Sequence, residues 1–190
     1  MFRLILASAS PRRLTLLKQI GIIPDAVLPA DIDESPLARE SSAHYVTRIA
    51  TLKAQKIALL HTDSLILAAD TMVTQGGRIL GKAENTADVE SMLTQLSGKT
   101  HRVFSGLCVI APDGRMVQKA IKTSITFKHL TPHEIQTYAQ NGEGVGKAGG
   151  YAIQGYAEAF VRRIIGSYSN VVGLPLYETR NALTGLGYSV

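Results

Sequence analysis

The 190-residue chain is poor in the residues that mark several protein classes. It has one cysteine, Cys108, no tryptophan, and only 6% aromatic residues. A single cysteine excludes an internal disulfide, and its place in an apolar run predicts a buried thiol in a reducing compartment. No window approaches the ~18 consecutive apolar residues of a membrane span, and the first residues lack the pattern of a signal peptide. We therefore expect a cytoplasmic protein without a membrane partner.

The charge pattern points to a small anionic ligand. The net charge is +5 and the isoelectric point is near 9.4, which favours an anionic partner. The basic residues do not form a run of five or more, and few aromatics are available for stacking. Grooves that bind nucleic acid usually combine both features. We therefore expect no stable nucleic-acid partner, and a polyphosphate held by scattered basic residues fits better.

Helix and strand patterns alternate along the chain and indicate an α/β fold in one domain. Strands are predicted over 64–69, 102–110, 116–127 and 159–165, and helices over 42–60, 85–96 and 131–140. Gly76-Gly77 predicts a hairpin, and Thr131 with Glu134 predicts a capping box. We expect a mixed sheet flanked by helices.

The segment Ser8-Ala9-Ser10-Pro11-Arg12-Arg13 lies between a predicted strand and a predicted helix. Ser10 suits the N-cap position and Pro11 the first helical position. The helix start would point unpaired backbone N–H groups and the positive end of its dipole into this loop, where two hydroxyls and two guanidinium groups surround the same spot. This combination predicts an anion site, and the fork of an arginine favours phosphate. The alternative is an ordinary Ser-Pro helix cap with two solvated arginines.

Four charged residues elsewhere are candidates for chemistry. Asp70 ends the buried strand 64–69, where a carboxylate can bind a metal or activate water, or can simply begin a turn. Lys53 falls on the apolar stripe of its helix, which predicts an ammonium held over a cleft or a lysine snorkelling at the rim. Lys82 follows the predicted hairpin and Glu34 lies in an acidic loop. For these two, ordinary surface roles are the alternatives.

Several familiar motifs are excluded by their context. The Gly-rich stretch 142–150 matches G-x-G-x-x-G, but a predicted helix precedes it where a dinucleotide site needs a strand. A Walker motif fails because Ala148 stands where Ser or Thr is required. A flexible, substrate-facing loop stays open. The five histidines lack metal-ligand spacing, so we do not expect zinc.

Six sequence blocks stand in order across nearly the whole chain. They are Ser8 to Arg13, Arg48 with Lys53, Ala69-Asp70-Thr71, 96–101, 147–155 and 166–175. Together they resemble the Maf family of nucleoside triphosphate pyrophosphatases. The resemblance implies a single domain over residues 1–190, with an elongated mixed α/β fold and a deep central cleft between two lobes, similar to the inosine-triphosphate pyrophosphatases. It also implies metal-dependent hydrolysis of a nucleoside triphosphate to the monophosphate and pyrophosphate.

The resemblance further implies roles for individual residues. Asp70 would be the catalytic proton acceptor, and Glu34 and Asp70 would lie near a divalent cation, Mg²⁺ or Mn²⁺. The residues expected to bind substrate phosphates are Ser8, Arg12, Arg13, Lys53 and Lys82.

Three positions are similar to a subgroup that acts on dTTP and UTP. They are Arg12, Thr71 and Gln154, where the sister subgroup, which prefers 7-methyl-GTP, typically has a bulky residue, Gln and Glu. The alternatives are a 7-methyl-GTP pyrophosphatase and a non-catalytic nucleotide- or nucleic-acid-binding regulator of septum formation. The sequence leaves open the preferred metal, the oligomeric state (a homodimer included), and whether the role is house-cleaning of modified nucleotides or control of division.

Overall fold

The computed structural model describes residues 2–189, which fold into helices and strands in alternation. The strands are β1 (Arg3–Leu6), β2 (Ala26–Val27), β3 (Ser64–Gln75), β4 (Arg78–Leu80), β5 (Thr100–Ile110), β6 (Met116–Phe127) and β7 (Val161–Ile165). The α-helices are α1 (Pro11–Gln19), α2 (Ser42–Ala58), α3 (Thr86–Leu96), α4 (Pro132–Gln140), α5 (Tyr168–Val172) and α6 (Leu176–Gly185), and a 3-10 helix spans Tyr156–Phe160. Every helix among these residues is too short or too polar to cross a membrane.

The strands form one mixed sheet, as the sequence predicts. Its order is β2-β1-β3-β5-β6-β7, and β4 pairs with β3. β1 runs parallel to β2 and to β3, and the crossovers that parallel pairing requires contain α1 and α2. β3 and β4 form an antiparallel hairpin around Gly76-Gly77. β6 and β7 are also antiparallel. The expectation of a mixed α/β fold with a helix-flanked sheet is confirmed.

The described residues divide into two compact units. The first contains residues 2–70, 105–121 and 173–189, and the second contains 71–104 and 122–172. The six residues 8, 12, 13, 34, 53 and 70 belong to the first unit. The single family domain over residues 1–190 stays a prediction.

The first unit is built around helix α2 packed on strands β1, β3 and β5. The fully buried side chains at this contact include Ile5, Ala50, Ala54 and Ile66. The buried Cys108 joins them as predicted, and burial raises the pKa of its thiol to about 11. The small side chains let the helix approach the sheet closely, so α2 and the side chains it carries are held firmly.

Two predicted boundaries are wrong. Asp70 does not end a strand, because β3 continues without interruption from Ser64 to Gln75. Its carboxylate meets the ammonium of Lys53 at 2.8 Å, so it is not used to cap a turn and the backbone stays extended. The strand predicted over 159–165 begins at Val161, because the residues before it form the 3-10 helix.

Candidate active site

Ser8 and Arg13 form a fixed pair at the start of α1. Ser10 is the N-cap and Pro11 the first helical residue, as predicted, although the Ser10 side chain makes no capping hydrogen bond. Ser8 Oγ accepts from Arg13 Nη1 at 2.9 Å and from the Ser10 backbone N–H at 3.2 Å. Arg13 Nε donates to the Gly173 carbonyl at 2.9 Å. Because Arg13 is only 8% exposed, it is not the solvated arginine of an ordinary helix cap.

Lys53 joins two carboxylates at one point. Its ammonium lies 2.8 Å from Asp70 Oδ1 on β3 and 2.6 Å from Glu34 Oε1, which comes from the loop between β2 and α2. Lys53 and Asp70 are both buried, whereas the Glu34 side chain is 42% exposed. Lys53 is therefore not a rim lysine, and Asp70 is not a turn residue. Both alternative interpretations are wrong.

Positive charge prevails around the two carboxylates. Burial lowers the pKa of the Arg13 guanidinium, the charge of Asp70 counteracts that effect, and neighbouring Arg12 adds to it. Arg12 is half-buried and makes no hydrogen bond or ion pair with residues 2–189. Arginines stay protonated in proteins, so Arg12, Arg13 and Lys53 leave a net charge of +1 against the two carboxylates. The cluster is therefore suited to an anion.

The remaining predicted site residues belong to the second unit. Thr71 follows Asp70 in β3, so its side chain points to the opposite face of the strand. Lys82 is exposed, and its backbone pairs with Ala148 of the Gly-rich stretch. Gln154 is exposed in the turn before the 3-10 helix. Their predicted roles in substrate binding and specificity stay predictions.

Backbone hydrogen bonds hold the chain on both sides of Gln154. The Ala152 N–H donates to the Tyr138 hydroxyl at 3.0 Å, and the Tyr156 N–H donates to Glu143 Oε2 at 2.9 Å. The Gly-rich stretch is also tightly packed, since a side chain at Gly144 would lie 2.3 Å from the Gly150 carbonyl. The hypothesis that the Gly-rich stretch 142–150 is a flexible, substrate-facing loop stays a prediction.

His101 is a structural histidine of the second unit. It is 1% exposed, its Nε2 lies 2.7 Å from the Tyr151 hydroxyl, and the Phe127 ring packs edge-on against it. Burial lowers the pKa of its imidazole to about 4, so the side chain is neutral near pH 7. The histidine therefore packs as a neutral residue in the core of this unit.

The residue-by-residue interpretation of the sequence missed two contacts of the cluster. The Tyr45 hydroxyl donates to the Glu34 carbonyl at 2.8 Å, and burial together with the charges of Asp70 and Glu34 raises the pKa of Tyr45 to about 12. Its spacing of eight residues from Lys53, about two helical turns, is the signal that could have found it. Gly173 receives the Arg13 hydrogen bond with a φ of 132°, a conformation that favours glycine. No local sequence pattern predicts the contact between Arg13 and Gly173.

The donor set fits a hard cation that arrives together with phosphates. Residues 2–189 contain no group of three or more His, Cys, Asp or Glu side chains that could hold a metal by themselves. Glu34 and Asp70 nevertheless present two carboxylates to one point. Mg²⁺ is commonly bound by one or two carboxylates plus substrate phosphates. Helix starts of α/β proteins are common phosphate sites, and the cationic start of α1, where the charges of both carboxylates reach Arg13, resembles that class of site.

Comparisons with known proteins show the family of this chain. The model of the Maf-like protein family matches residues 3–186, and the chain belongs to that family. A dTTP/UTP pyrophosphatase of Mesorhizobium japonicum is 50% identical over 99% of this chain and 93% of its own. One of Paramagnetospirillum magneticum is 53% identical over 98% of both chains. Among solved structures, the Ham1 protein of Staphylococcus aureus matches with a TM-score of 0.47 and 17% identity, over 66% of this chain and 71% of that one.

Proposed function

We propose that this protein is a nucleoside triphosphate pyrophosphatase that hydrolyses dTTP and UTP to the monophosphate and pyrophosphate. The observation that carries the proposal is the contact of Lys53 with Asp70 and Glu34, within the field of buried Arg13. Relatives with the name dTTP/UTP pyrophosphatase, at 50% and 53% identity over nearly the full chain, support the substrate class. We place the enzyme in the cytoplasm, where such nucleotides are made.

The cationic residues bind and orient the triphosphate. Phosphoryl chemistry depends mainly on positioning and on stabilising negative charge, which fixed cations supply. Arg13 is well suited because two hydrogen bonds, to Ser8 and Gly173, hold its guanidinium in place before substrate arrives. Arg12 is uncommitted among the described residues and can turn toward a phosphate. Lys82 contributes a further cation.

Asp70 accepts the proton of the attacking water. Lys53 fixes its Oδ1 at 2.8 Å, which leaves Oδ2 able to accept a hydrogen bond from water. As the water oxygen bonds to the α-phosphorus, the bond from that phosphorus to the bridging oxygen breaks and pyrophosphate leaves with the electron pair. The proton lost by the water passes to the Asp70 carboxylate.

Glu34 and Asp70 would hold a divalent cation, Mg²⁺ or Mn²⁺, together with the substrate phosphates. When bound, it would neutralise part of the charge that develops on the leaving pyrophosphate. In this arrangement, Lys53 keeps the two carboxylates close together before the substrate binds. The protein then needs no complete metal cage of its own.

Arg12, Thr71 and Gln154 set the preference for a pyrimidine base. Gln154 offers both a donor and an acceptor, and it is exposed where a base can reach it. The proposed specificity rests on these residue types. Exchanging Thr71 for Gln and Gln154 for Glu should lower the ratio of UTP to 7-methyl-GTP hydrolysis if they read the base.

A panel of substrates tests the function directly. The protein is incubated with UTP, dTTP, CTP, GTP and 7-methyl-GTP, with Mg²⁺ or Mn²⁺, and released pyrophosphate is measured. We expect UTP and dTTP to be the fastest substrates. Faster turnover of 7-methyl-GTP would assign the protein to the sister activity. Nucleotide binding without any pyrophosphate release would refute the enzymatic proposal.

A further inference from the structure

The loop that carries Glu34 has no regular secondary structure of its own. This segment, residues 28–41, is here called the Glu34 loop, and it connects β2 to α2. It is largely exposed, and its Arg39 adopts a φ of 60°, which residues other than glycine rarely take. A carboxylate on such a segment needs contacts from outside the loop to stay 2.6 Å from Lys53.

Side chains from one face of α2 supply those contacts. The Tyr45 hydroxyl donates to the Glu34 carbonyl at 2.8 Å, and Arg48 Nη2 donates to the Ser35 carbonyl at 3.1 Å. Lys56, two turns further along, donates to the Asp31 carbonyl. All three contacts reach backbone carbonyls, so they restrain the path of the loop and leave the Glu34 carboxylate available.

Arg48 also fastens the far end of the loop. Its Nε and Nη2 donate to the two oxygens of the Glu40 carboxylate, both at 2.7 Å, and Glu40 Oε2 accepts from the Leu37 N–H at 3.1 Å. The Arg48 guanidinium lies 5.6 Å from the centre of the Tyr45 ring. This bidentate ion pair depends on the planar guanidinium group of arginine, which a lysine lacks.

We propose that Tyr45 and Arg48 are positioning residues, which hold the Glu34 loop so that the Glu34 carboxylate meets Lys53 and Asp70. The consequence for catalysis rests on the proposed function, in which Glu34 helps to hold the divalent cation. Neither residue has to touch the substrate. Tyr45 acts through the loop backbone, and Arg48 acts through the backbone and the Glu40 side chain. Their loss should weaken metal use before it affects the chemical step.

The first experiment measures whether the loop is held. Arg39 is the only arginine or lysine between residues 28 and 41, so trypsin cleavage after it reports the mobility of this loop. We expect faster cleavage in Tyr45→Phe and in Arg48→Lys than in the wild-type protein. Tyr177→Phe is the matched control, because that tyrosine is 75% exposed on α6. Unchanged cleavage at Arg39 in both loop variants would overturn the proposal.

The second experiment measures metal use. For Tyr45→Phe we expect the Mg²⁺ concentration at half-maximal UTP hydrolysis to rise about threefold to tenfold, the range of one hydrogen bond, with kcat at saturating Mg²⁺ nearly unchanged. The affinity for Mn²⁺ in the presence of a non-hydrolysable UTP analogue, measured by calorimetry, should decrease by a similar factor. Arg48→Gln should have a larger effect than Arg48→Lys.

A double variant separates the positioning role from the function of Glu34. If Tyr45 acts through Glu34, adding Tyr45→Phe to Glu34→Gln should cause no further loss of metal binding. Full additivity would overturn the positioning proposal. If Glu34→Gln alone leaves Mg²⁺ and Mn²⁺ use unchanged while cleavage at Arg39 still accelerates in Tyr45→Phe, the loop restraint stands and the assignment of Glu34 to the metal is refuted.

Discussion

Replacing Asp70 by Asn removes the proposed proton acceptor with little change in shape. In the wild-type protein, Lys53 Nζ donates to Asp70 Oδ1 at 2.8 Å. The Asn side chain keeps an oxygen that can accept the same hydrogen bond. Lys53 also keeps its second carboxylate, Glu34 at 2.6 Å, so the buried ammonium is not left uncompensated. The variant should therefore fold and bind nucleotide.

The expected magnitudes for stability and turnover differ. Breaking a buried ion pair entirely costs about 3–5 kcal/mol, and the remaining partner should reduce this to about 1–2 kcal/mol. For a chain of this size that corresponds to a decrease in Tm of about 2–8 °C. Loss of a general base lowers kcat by about 10²–10⁴, which is about 2.7–5.5 kcal/mol of transition-state stabilisation.

The assay combines steady-state pyrophosphate release from UTP with calorimetric binding of a non-hydrolysable UTP analogue. Asp113→Asn is the matched control, since Asp113 is exposed in the turn between β5 and β6 and pairs with Arg115 at 2.7 Å. The control should keep wild-type kcat. If Asp70→Asn retains more than about a tenth of the wild-type kcat, Asp70 is not the base.

Three further predictions concern stability and use urea unfolding. In Arg13→Lys, a lysine cannot reproduce the hydrogen bonds to both Ser8 and Gly173, so we expect the free energy of unfolding to fall by about 1.5–3 kcal/mol. Unchanged stability would contradict the structural role of these two hydrogen bonds. In Gly106→Ala, the new Cβ would lie 1.9 Å from the Val46 carbonyl of α2. We therefore expect the free energy of unfolding to fall by about 3 kcal/mol or more, and the activity to weaken. Gly185→Ala is the control and should be tolerated, because no atom lies within 4 Å of its new Cβ. Burial lowers the pKa of His101 from 6.5 to about 4, so its neutral form stabilises the fold fully above pH 6.5 and this contribution is lost as pH falls toward 4. The loss is about 3 kcal/mol, and a His101→Gln variant should show a flatter pH dependence between pH 7 and 4.

Local patterns predicted those features that neighbouring residues decide. The Thr131 capping box with Glu134 and the hairpin at Gly76-Gly77 are present as predicted, because their hydrogen bonds join residues close in sequence. The end of a strand at Asp70 was predicted wrongly. Asp favours turns because its carboxylate can bind nearby backbone N–H groups. Here the Asp70 carboxylate instead binds the ammonium of Lys53, 17 residues earlier in the chain.

Three features can be derived from the amino-acid sequence alone: the alternating α/β order, the Ser10-Pro11 helix start and the set of charged residues that resembles one family. These follow from short-range periodicity, capping and residue chemistry. The folded structure is needed to see that Arg13 is buried and bonded to Gly173, 160 residues away, and that Lys53 joins Glu34 to Asp70. It is also needed to see that Tyr45 and Arg48 hold the Glu34 loop. These contacts join elements that are far apart in the sequence, and their distances depend on how those elements pack against one another.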